Sequence, residues 1–295
     1  MKRRRVAILA ALVLTPMVGA AVAFDGWVDS FVTAKRARRG PRASAPPEGV
    51  DHVLRIEVDP AAELDVWVLD PDDAPRGTVF VLHGVHSDKR PMIDYGRRLA
   101  RGGLRAVLVD LRGHGASTGR TLTYGVYDGA DLVAVMDDLQ RRDLLAAPVG
   151  VHGPSYGGAV ALGAAALDAR IERVVTVSTF SSAGALAGSY LDLLGSGLGA
   201  WLPDAIGDAL VNEGSRRTGV DLWRSNSVNA IQATAAPVLL FHGDRDRLVP
   251  FRQGQLLASA CGARCELVRL SGLDHDGALG APQVGPRAAG FFLAR

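Results

Sequence analysis

The chain has little of what marks metal-binding or nucleic-acid-binding proteins. Only two of its 295 residues are cysteines, and no histidine–cysteine cluster has the spacing of a zinc site. The net charge is only +2, and the folded part has no basic stripe interleaved with aromatic residues. The sequence also has no internal repeat. We therefore expect no metal, no cofactor and no nucleic-acid partner.

What the chain does have is enough apolar sequence for one large core. Hydrophobic residues make up 48% of it and charged residues 22%, a composition that suits a single globular domain. Apolar runs such as Thr78–His83 and Leu104–Asp110 alternate with helical patterns such as Asp128–Arg142. This alternation predicts an α/β fold with a mostly parallel sheet that is covered by helices on both faces.

A Gly-x-Ser-x-Gly pattern centred on Ser155 follows the strand-like run 148–152 and precedes a helix rich in small residues. Gly153 and Gly157 allow strand and helix to cross closely, so that the serine hydroxyl stands clear of the backbone. The first amides of the helix then point to the place where a tetrahedral oxyanion forms. Because the chain contains 35 glycines, the pattern alone is weak, and its significance depends on partner residues.

Two polar clusters, His242–Asp246 and Asp274–Asp276, each follow an apolar strand-like run later in the chain. Both lie where the strands of a parallel sheet end, the edge at which active sites collect. An activated serine needs a base and an acid that orients it. We predict Ser155 as the nucleophile, Asp246 as the acid and His275 as the base.

The other histidines are weaker candidates for the base. Four of them lie at predicted strand ends, where histidine commonly bonds the backbone: His83, His114, His152 and His242. The other two, His52 and His86, have no acid cluster near them in sequence. Asp274 and Asp276, which flank His275, are interpreted as loop-forming residues.

From about Asp51 onwards these features resemble the α/β-hydrolase superfamily. The segment Thr78–Val85 resembles the strand and HG turn that supply half of the oxyanion hole in that family. Asp110–Ser117 is similar to its DxRGHGxS loop, and His242–Pro250 is similar to its acid loop. The stretch 124–139 most resembles the BEM46-like group of serine hydrolases, whose members are often exported or membrane-anchored.

The resemblance implies an α/β-hydrolase fold and an oxyanion hole made by the backbone amides of Val85 and Tyr156. It favours Asp246 over Asp244 as the acid, because Asp246 precedes a Val-Pro pair as the family acid does. Pro154 and Tyr156 depart from the residues that relatives often carry. We expect the side chains at both oxyanion positions to be free to shape the substrate pocket.

About 55 residues separate the strand ending near Thr179 from the one beginning near Ala236, too many for an ordinary connection. At this place the superfamily carries its cap, which we assign to about 181–235. The segment is apolar and rich in glycine, so a mobile lid with an acyl pocket and ordinary helix packing both remain open. Its apolar residues are Leu186, Tyr190, Leu193, Leu194, Leu198 and Trp201.

The N-terminal segment 1–23 carries four positive charges, no negative ones and an apolar run that ends in Ala21-Val22-Ala23. This pattern predicts export, through either a cleaved signal peptide or a retained membrane anchor. The next part, 24–50, is a basic, proline-containing linker, and the catalytic domain occupies 51–295. The apolar residues from Phe24 to Val32 recur at helical spacing and are interpreted as an interfacial continuation of an anchor. The arginines before this segment and the linker behind it argue against a helix buried in the domain.

Cys261 and Cys265 are four positions apart, and in an oxidising compartment they can form a disulfide. Two partly buried free thiols are the alternative. The enzyme is predicted to lie outside the cytoplasm, secreted or membrane-anchored.

The predicted function is a serine hydrolase that cleaves a carboxylic ester or thioester through an acyl-enzyme on Ser155, with an apolar small-molecule acyl ester as substrate. A serine peptidase or aminopeptidase of the same fold and a non-catalytic binding protein are the alternatives. A haloalkane dehalogenase is disfavoured, because it would need an aspartate at position 155.

Overall fold

The computed structural model describes residues 22–33, 46–59, 62–194 and 204–294, and within them eight strands form one sheet in the order β1-β2-β4-β3-β5-β6-β7-β8. Strands β1 and β2 are antiparallel to each other, and β2 is antiparallel to β4, whereas β4, β3, β5, β6, β7 and β8 are parallel. The strand bounds are β1 His52–Val58, β2 Ala62–Leu69, β3 Thr78–Val81, β4 Arg105–Val109, β5 Val149–Pro154, β6 Ile171–Val177, β7 Val238–Gly243 and β8 Cys265–Leu270.

Helices cover both faces of this sheet. In chain order they are α1 22–32, α2 Ile93–Arg101, α3 Asp128–Arg141, α4 Tyr156–Leu167, α5 Ala183–Leu194, α6 Asp204–Thr218, α7 Ser227–Ala233, α8 Phe251–Cys261, α9 His275–Leu279 and α10 Val284–Leu293. Strand β3 shows how the two layers arise, because Phe80 joins the core on the side of α3 and α4 while Val79 and Val81 join the core on the side of α2 and α10. The predicted α/β fold, a mostly parallel sheet covered by helices on both faces, is confirmed.

Helix α1 is packed onto the domain. Val28, Phe31 and Val32 are buried in the same core as α3 and α4. The ring of Phe31 stacks on Tyr124 with centroids 4.7 Å apart, and the Tyr124 hydroxyl donates to the Phe31 carbonyl at 2.6 Å. The interpretation of the face from Phe24 to Val32 as a membrane-interface surface is therefore wrong, because the domain itself covers this face. Residues 22–32 form a helix whose apolar face is buried against the domain, contrary to the prediction from the flanking arginines and linker.

Most of the predicted signal or anchor segment, residues 1–21, lies outside the described residues, and so do 34–45 of the predicted linker. In the part of the chain that is described, no helix is long and apolar enough to cross a membrane.

Helices α5, α6 and α7 lie between β6 and β7, in the predicted cap insertion. Helix α7 packs on α4 and α8, and α5 packs on α6. Gln253 on α8 is hydrogen-bonded to the start of the insertion. Its side-chain oxygen accepts from the Ser181 backbone amide at 2.9 Å, and its side-chain NH₂ group donates to Ser189 Oγ at 3.3 Å. The described cap helices are thus joined to the domain by ordinary packing and buried polar contacts. The predicted cap residues Leu193, Leu194, Leu198 and Trp201 lie outside the described side chains.

Candidate active site

Ser155 lies in a tight turn between the carboxyl end of β5 and the start of α4. Its φ of 48° and ψ of −113° fall in a region that non-glycine residues rarely adopt, so the surrounding structure has to hold it there. A Cβ atom on Gly153 would lie 2.2 Å from the Gly157 carbonyl oxygen, and one on Gly157 would lie 2.6 Å from the His83 carbonyl oxygen. Only glycine therefore fits at these two positions, as the motif predicts.

His275 is placed against the serine by the loop that follows β8. It is the first residue of α9, and the preceding Asp274 caps this helix by accepting from the Gly277 amide at 2.9 Å. His275 Nε2 lies 3.1 Å from Ser155 Oγ, and His275 Nδ1 lies 2.7 Å from Asp246 Oδ2. The structure thus brings the predicted nucleophile, base and acid together in the order that proton transfer requires.

Asp246 is buried and hydrogen-bonded in the loop that follows β7. Its Oδ1 accepts from the Val249 amide at 2.7 Å, and its side chain is 0% exposed. His242 Nε2 donates to the Val249 carbonyl at 2.7 Å. Burial lowers the pKa of His242 and favours its neutral form, so this imidazole supports the acid loop as a hydrogen-bond donor.

Asp244 has a different position in the same loop. Its Oδ1 accepts from the Gly272 amide at 2.7 Å, and its Oδ2 pairs with Arg269 Nη2 at 2.8 Å. These contacts tie the loop after β7 to the loop before α9. Asp244 therefore connects the segments that carry the acid and the base, and Asp246 is the carboxylate that contacts His275.

His83 sets the geometry of the loop that carries the second predicted oxyanion amide. Its Nε2 accepts from the Leu111 amide at 3.0 Å, which leaves the proton on Nδ1, and Nδ1 donates to the Gly84 carbonyl at 2.7 Å. Burial lowers the pKa of His83 to about 4, so it is neutral near pH 7. Because a trans peptide is planar, holding the Gly84 carbonyl fixes the opposite direction for the Val85 N–H.

The side chain of Tyr156 does not line the substrate pocket, contrary to the expectation from sequence. It is 1% exposed, and its hydroxyl donates to Asp128 Oδ2 at 3.0 Å inside the domain. Pro154 is buried as well. The sequence interpretation missed Asp128, whose only local signal is an acidic residue in the first turn of α3.

The alternative histidines have other roles in the described structure. His114 Nδ1 bonds the Arg112 carbonyl at 2.9 Å. The His152 ring packs against Tyr95 with centroids 4.7 Å apart, and its Nδ1 is buried without a hydrogen-bond partner among the described residues. Burial lowers the pKa of both His114 and His152 to about 4. His52 pairs with Asp70 at 3.4 Å.

Cys261 and Cys265 form a disulfide, with Cα atoms 5.7 Å apart. It joins the end of α8 to the start of β8, the strand that leads to His275. Of the two alternatives left open by the sequence, the structure therefore contains the bonded one.

Comparison with known proteins agrees with this architecture. A monoacylglycerol lipase of Mycolicibacterium smegmatis is 30% identical over 220 residues, which cover 65% of this chain and 78% of that protein. Residues 73–207 match the family model for serine aminopeptidase, S33. The chain belongs to the α/β-hydrolase superfamily. This α/β-hydrolase is also similar to an uncharacterized protein of Mycobacterium tuberculosis, 26% identical over 281 residues that cover 94% of this chain and 91% of that protein.

Among solved structures, an esterase of Pyrococcus furiosus superposes on the hydrolase with a TM-score of 0.65 and 22% identity. The match covers 86% of this chain and 96% of that one. At this identity the likeness concerns the fold.

Proposed function

We propose that this hydrolase cleaves a carboxylic ester or thioester through an acyl-enzyme on Ser155. The observation that carries the proposal is the geometry of three side chains: Ser155 Oγ lies 3.1 Å from His275 Nε2, whose other ring nitrogen lies 2.7 Å from the buried Asp246 carboxylate. This arrangement can deprotonate a hydroxyl and stabilise the imidazolium that results.

In the proposed reaction, His275 Nε2 takes the Ser155 proton as Oγ attacks the acyl carbonyl carbon. The carbonyl oxygen becomes an oxyanion, which the amides of Val85 and Tyr156 stabilise. His275 then gives its proton to the leaving alcohol or thiol as the C–O or C–S bond breaks. Water deprotonated by the same imidazole then attacks the acyl carbon. As the bond between that carbon and Ser155 Oγ breaks, His275 returns the proton to Oγ and the acid leaves.

The sequence relationship favours an ester substrate. The lipase that is 30% identical to this chain is named for monoacylglycerol, a carboxylic ester with an apolar acyl chain. We therefore propose that the substrate is an apolar acyl ester. We also propose that the protein belongs to the BEM46-like group of serine hydrolases.

Peptide hydrolysis is the second candidate, because the family model that matches residues 73–207 is described as a serine aminopeptidase. The same three side chains can cleave an amide if the leaving amine is protonated. Ester and amide substrates therefore have to be compared directly.

The test is a panel of p-nitrophenyl esters of rising acyl length beside aminoacyl p-nitroanilides. We expect ester turnover that exceeds anilide turnover and that is lost in Ser155→Ala. Faster cleavage of the anilides would support the aminopeptidase instead. Undiminished ester hydrolysis by purified Ser155→Ala would contradict a serine mechanism, and a wild type that turns over neither class would point to a binding protein.

For location, we propose export with the catalytic domain outside the cytoplasm. The support is the charge and apolar pattern of residues 1–23, together with a disulfide of the kind that persists in oxidising compartments. Cleaved signal and retained anchor are both compatible with the fold, since helix α1 contributes its buried residues from Val28 onwards. Cell fractionation with N-terminal sequencing separates them. A mature N-terminus at Phe24 in the soluble exported fraction would exclude an anchor, and an intact chain in the cytosol would contradict export.

A further inference from the structure

Tyr156 links the nucleophile turn to the interior of the domain. Its backbone follows the nucleophile, and its hydroxyl is fixed inside the domain by three hydrogen bonds. The hydroxyl donates to Asp128 Oδ2 at 3.0 Å and accepts from the amides of Thr123 at 3.1 Å and Tyr124 at 3.0 Å. Burial raises the pKa of Tyr156 well above its ordinary value, so the hydroxyl keeps the proton that it donates.

Asp128 is the buried carboxylate at the centre of this network. Its Oδ2 also accepts from Thr123 Oγ1 and from the Gly125 amide at 3.0 Å, and the residue is 1% exposed. Its Oδ1 has no hydrogen-bond partner among the described residues. Burying a carboxylate costs free energy unless donors compensate it, and Tyr156 is one of only a few that do so here. The proposed proton transfers do not use Asp128.

The network lies directly behind the strained turn of the nucleophile. Ser155 has a φ of 48°, and α4 begins at the next residue. The Tyr156 ring packs against Tyr124, with centroids 5.4 Å apart, and against His114 at 5.6 Å. Because the Tyr156 Cα carries this ring, the Cα cannot shift in a close-packed interior without displacing the ring. The hydrogen bonds of the Tyr156 hydroxyl, which we call the tether, therefore restrict where the Tyr156 amide lies. The Ser155 carbonyl of the same peptide also accepts from the Gly158 amide at 3.0 Å, which helps to orient the peptide plane.

Building on the proposed acyl-enzyme chemistry, we propose that Tyr156 and Asp128 are positioning residues for the oxyanion hole. The hydrogen bond between their side chains keeps the Tyr156 backbone N–H directed at the oxygen of the tetrahedral intermediate. Loss of an oxyanion donor costs about 10²- to 10³-fold in kcat. Loss of the tether leaves the amide in place but less well directed, so we expect a smaller loss of about tenfold in kcat.

Tyr156→Phe tests this proposal, and Tyr124→Phe is its matched control. Tyr124 is also buried, and its hydroxyl donates to the Phe31 carbonyl at 2.6 Å. Each substitution therefore removes one buried hydroxyl. Tyr124→Phe leaves the tether intact, because Tyr156 is bonded by the Tyr124 backbone amide.

We expect Tyr156→Phe to lower kcat about tenfold while KM stays within about twofold. Its inactivation by a fluorophosphonate should slow by a similar factor, because the phosphoryl oxygen occupies the same hole. Tyr124→Phe should lose less thermal stability, because it leaves one hydrogen-bond partner unpaired where Tyr156→Phe leaves three, and it should keep kcat within about twofold of the wild type. Asp128→Asn retains an oxygen acceptor, so its kcat should lie between those of the wild type and Asp128→Ala.

An unchanged kcat in folded Tyr156→Phe, or equal kcat losses in the two Tyr→Phe variants, would overturn the proposal. If Tyr156→Phe does not fold, the Asp128 series decides: a kcat in Asp128→Asn equal to that of Asp128→Ala would overturn it. Failure of the proposed function looks different, because the wild type itself would then show no hydrolysis that depends on Ser155.

Discussion

Asp246→Asn separates the proposed acid from its neighbour Asp244. Asp246 uses both oxygens: Oδ1 accepts from the Val249 amide at 2.7 Å, and Oδ2 contacts His275 Nδ1 at 2.7 Å. An asparagine that keeps its oxygen toward Val249 presents its NH₂ group to His275. Nδ1 then becomes an acceptor and the proton moves to Nε2, which can no longer accept a proton from Ser155.

The same swap of tautomer in a serine protease triad lowers kcat about 10⁴-fold. This factor corresponds to about 5.4 kcal/mol of lost transition-state stabilisation. We expect a loss of this order in Asp246→Asn, measured as kcat/KM on a p-nitrophenyl ester, with circular dichroism showing the wild-type fold.

Asp244→Asn is the matched control, because it lies two positions away in the same loop and pairs with Arg269 and the Gly272 amide. Its kcat/KM should stay within about threefold of the wild type, because the asparagine oxygen can still accept from the Gly272 amide and only the pair with the exposed Arg269 guanidinium is weakened. The reasoning would be refuted if Asp246→Asn kept more than about a tenth of the wild-type kcat/KM, or if Asp244→Asn were the more damaging of the two.

Three further substitutions probe the fold around the site. Gly153→Ala puts a Cβ atom 2.2 Å from the Gly157 carbonyl oxygen, so kcat should fall about 100-fold or more; a near-wild-type kcat would show that the turn can relax. Burial lowers the pKa of His152 to about 4, so below about pH 6.5 this histidine takes up a proton in the unfolded chain but not in the folded one. The free energy of unfolding therefore decreases as the pH is lowered. Between pH 6.5 and 4.5 the wild type should therefore lose about 2 kcal/mol more free energy of unfolding, measured by urea titration, than His152→Leu; parallel losses would contradict this. Cys261→Ser removes the bond to Cys265, which should lower the free energy of unfolding by about 2 kcal/mol and leave kcat unchanged; an unchanged urea midpoint would argue against a stabilising disulfide.

The sequence predicts much of the fold and the meeting of Ser155, Asp246 and His275 at one site. The position of Ser155 can be predicted from its neighbours in sequence, because only glycine fits at the positions two before and two after it. Asp246 and His275 follow β7 and β8, neighbouring parallel strands whose carboxyl ends meet at one edge of the sheet. Periodicity and turn chemistry are enough to predict these features.

Contacts between distant segments could not be predicted in this way. Tyr156 meets Asp128, which is 28 positions earlier, and no local pattern indicates that the two side chains face each other. The apolar face of α1 is visible in the sequence, but a hydrophobic period does not say whether lipid or protein covers it. In this structure protein covers it, and one of the residues that do so is Tyr124, which contacts Phe31 from 93 positions away in sequence.

The central claim is that Ser155 is the nucleophile activated by His275. The most direct measurement is mass spectrometry of the wild type, Ser155→Ala and His275→Ala after reaction with a fluorophosphonate, which bonds covalently to an activated serine. We predict one adduct, on the peptide that contains Ser155, absent from Ser155→Ala and formed far more slowly in His275→Ala. An adduct on another residue, or an unlabelled wild type that still hydrolyses esters, would contradict the claim.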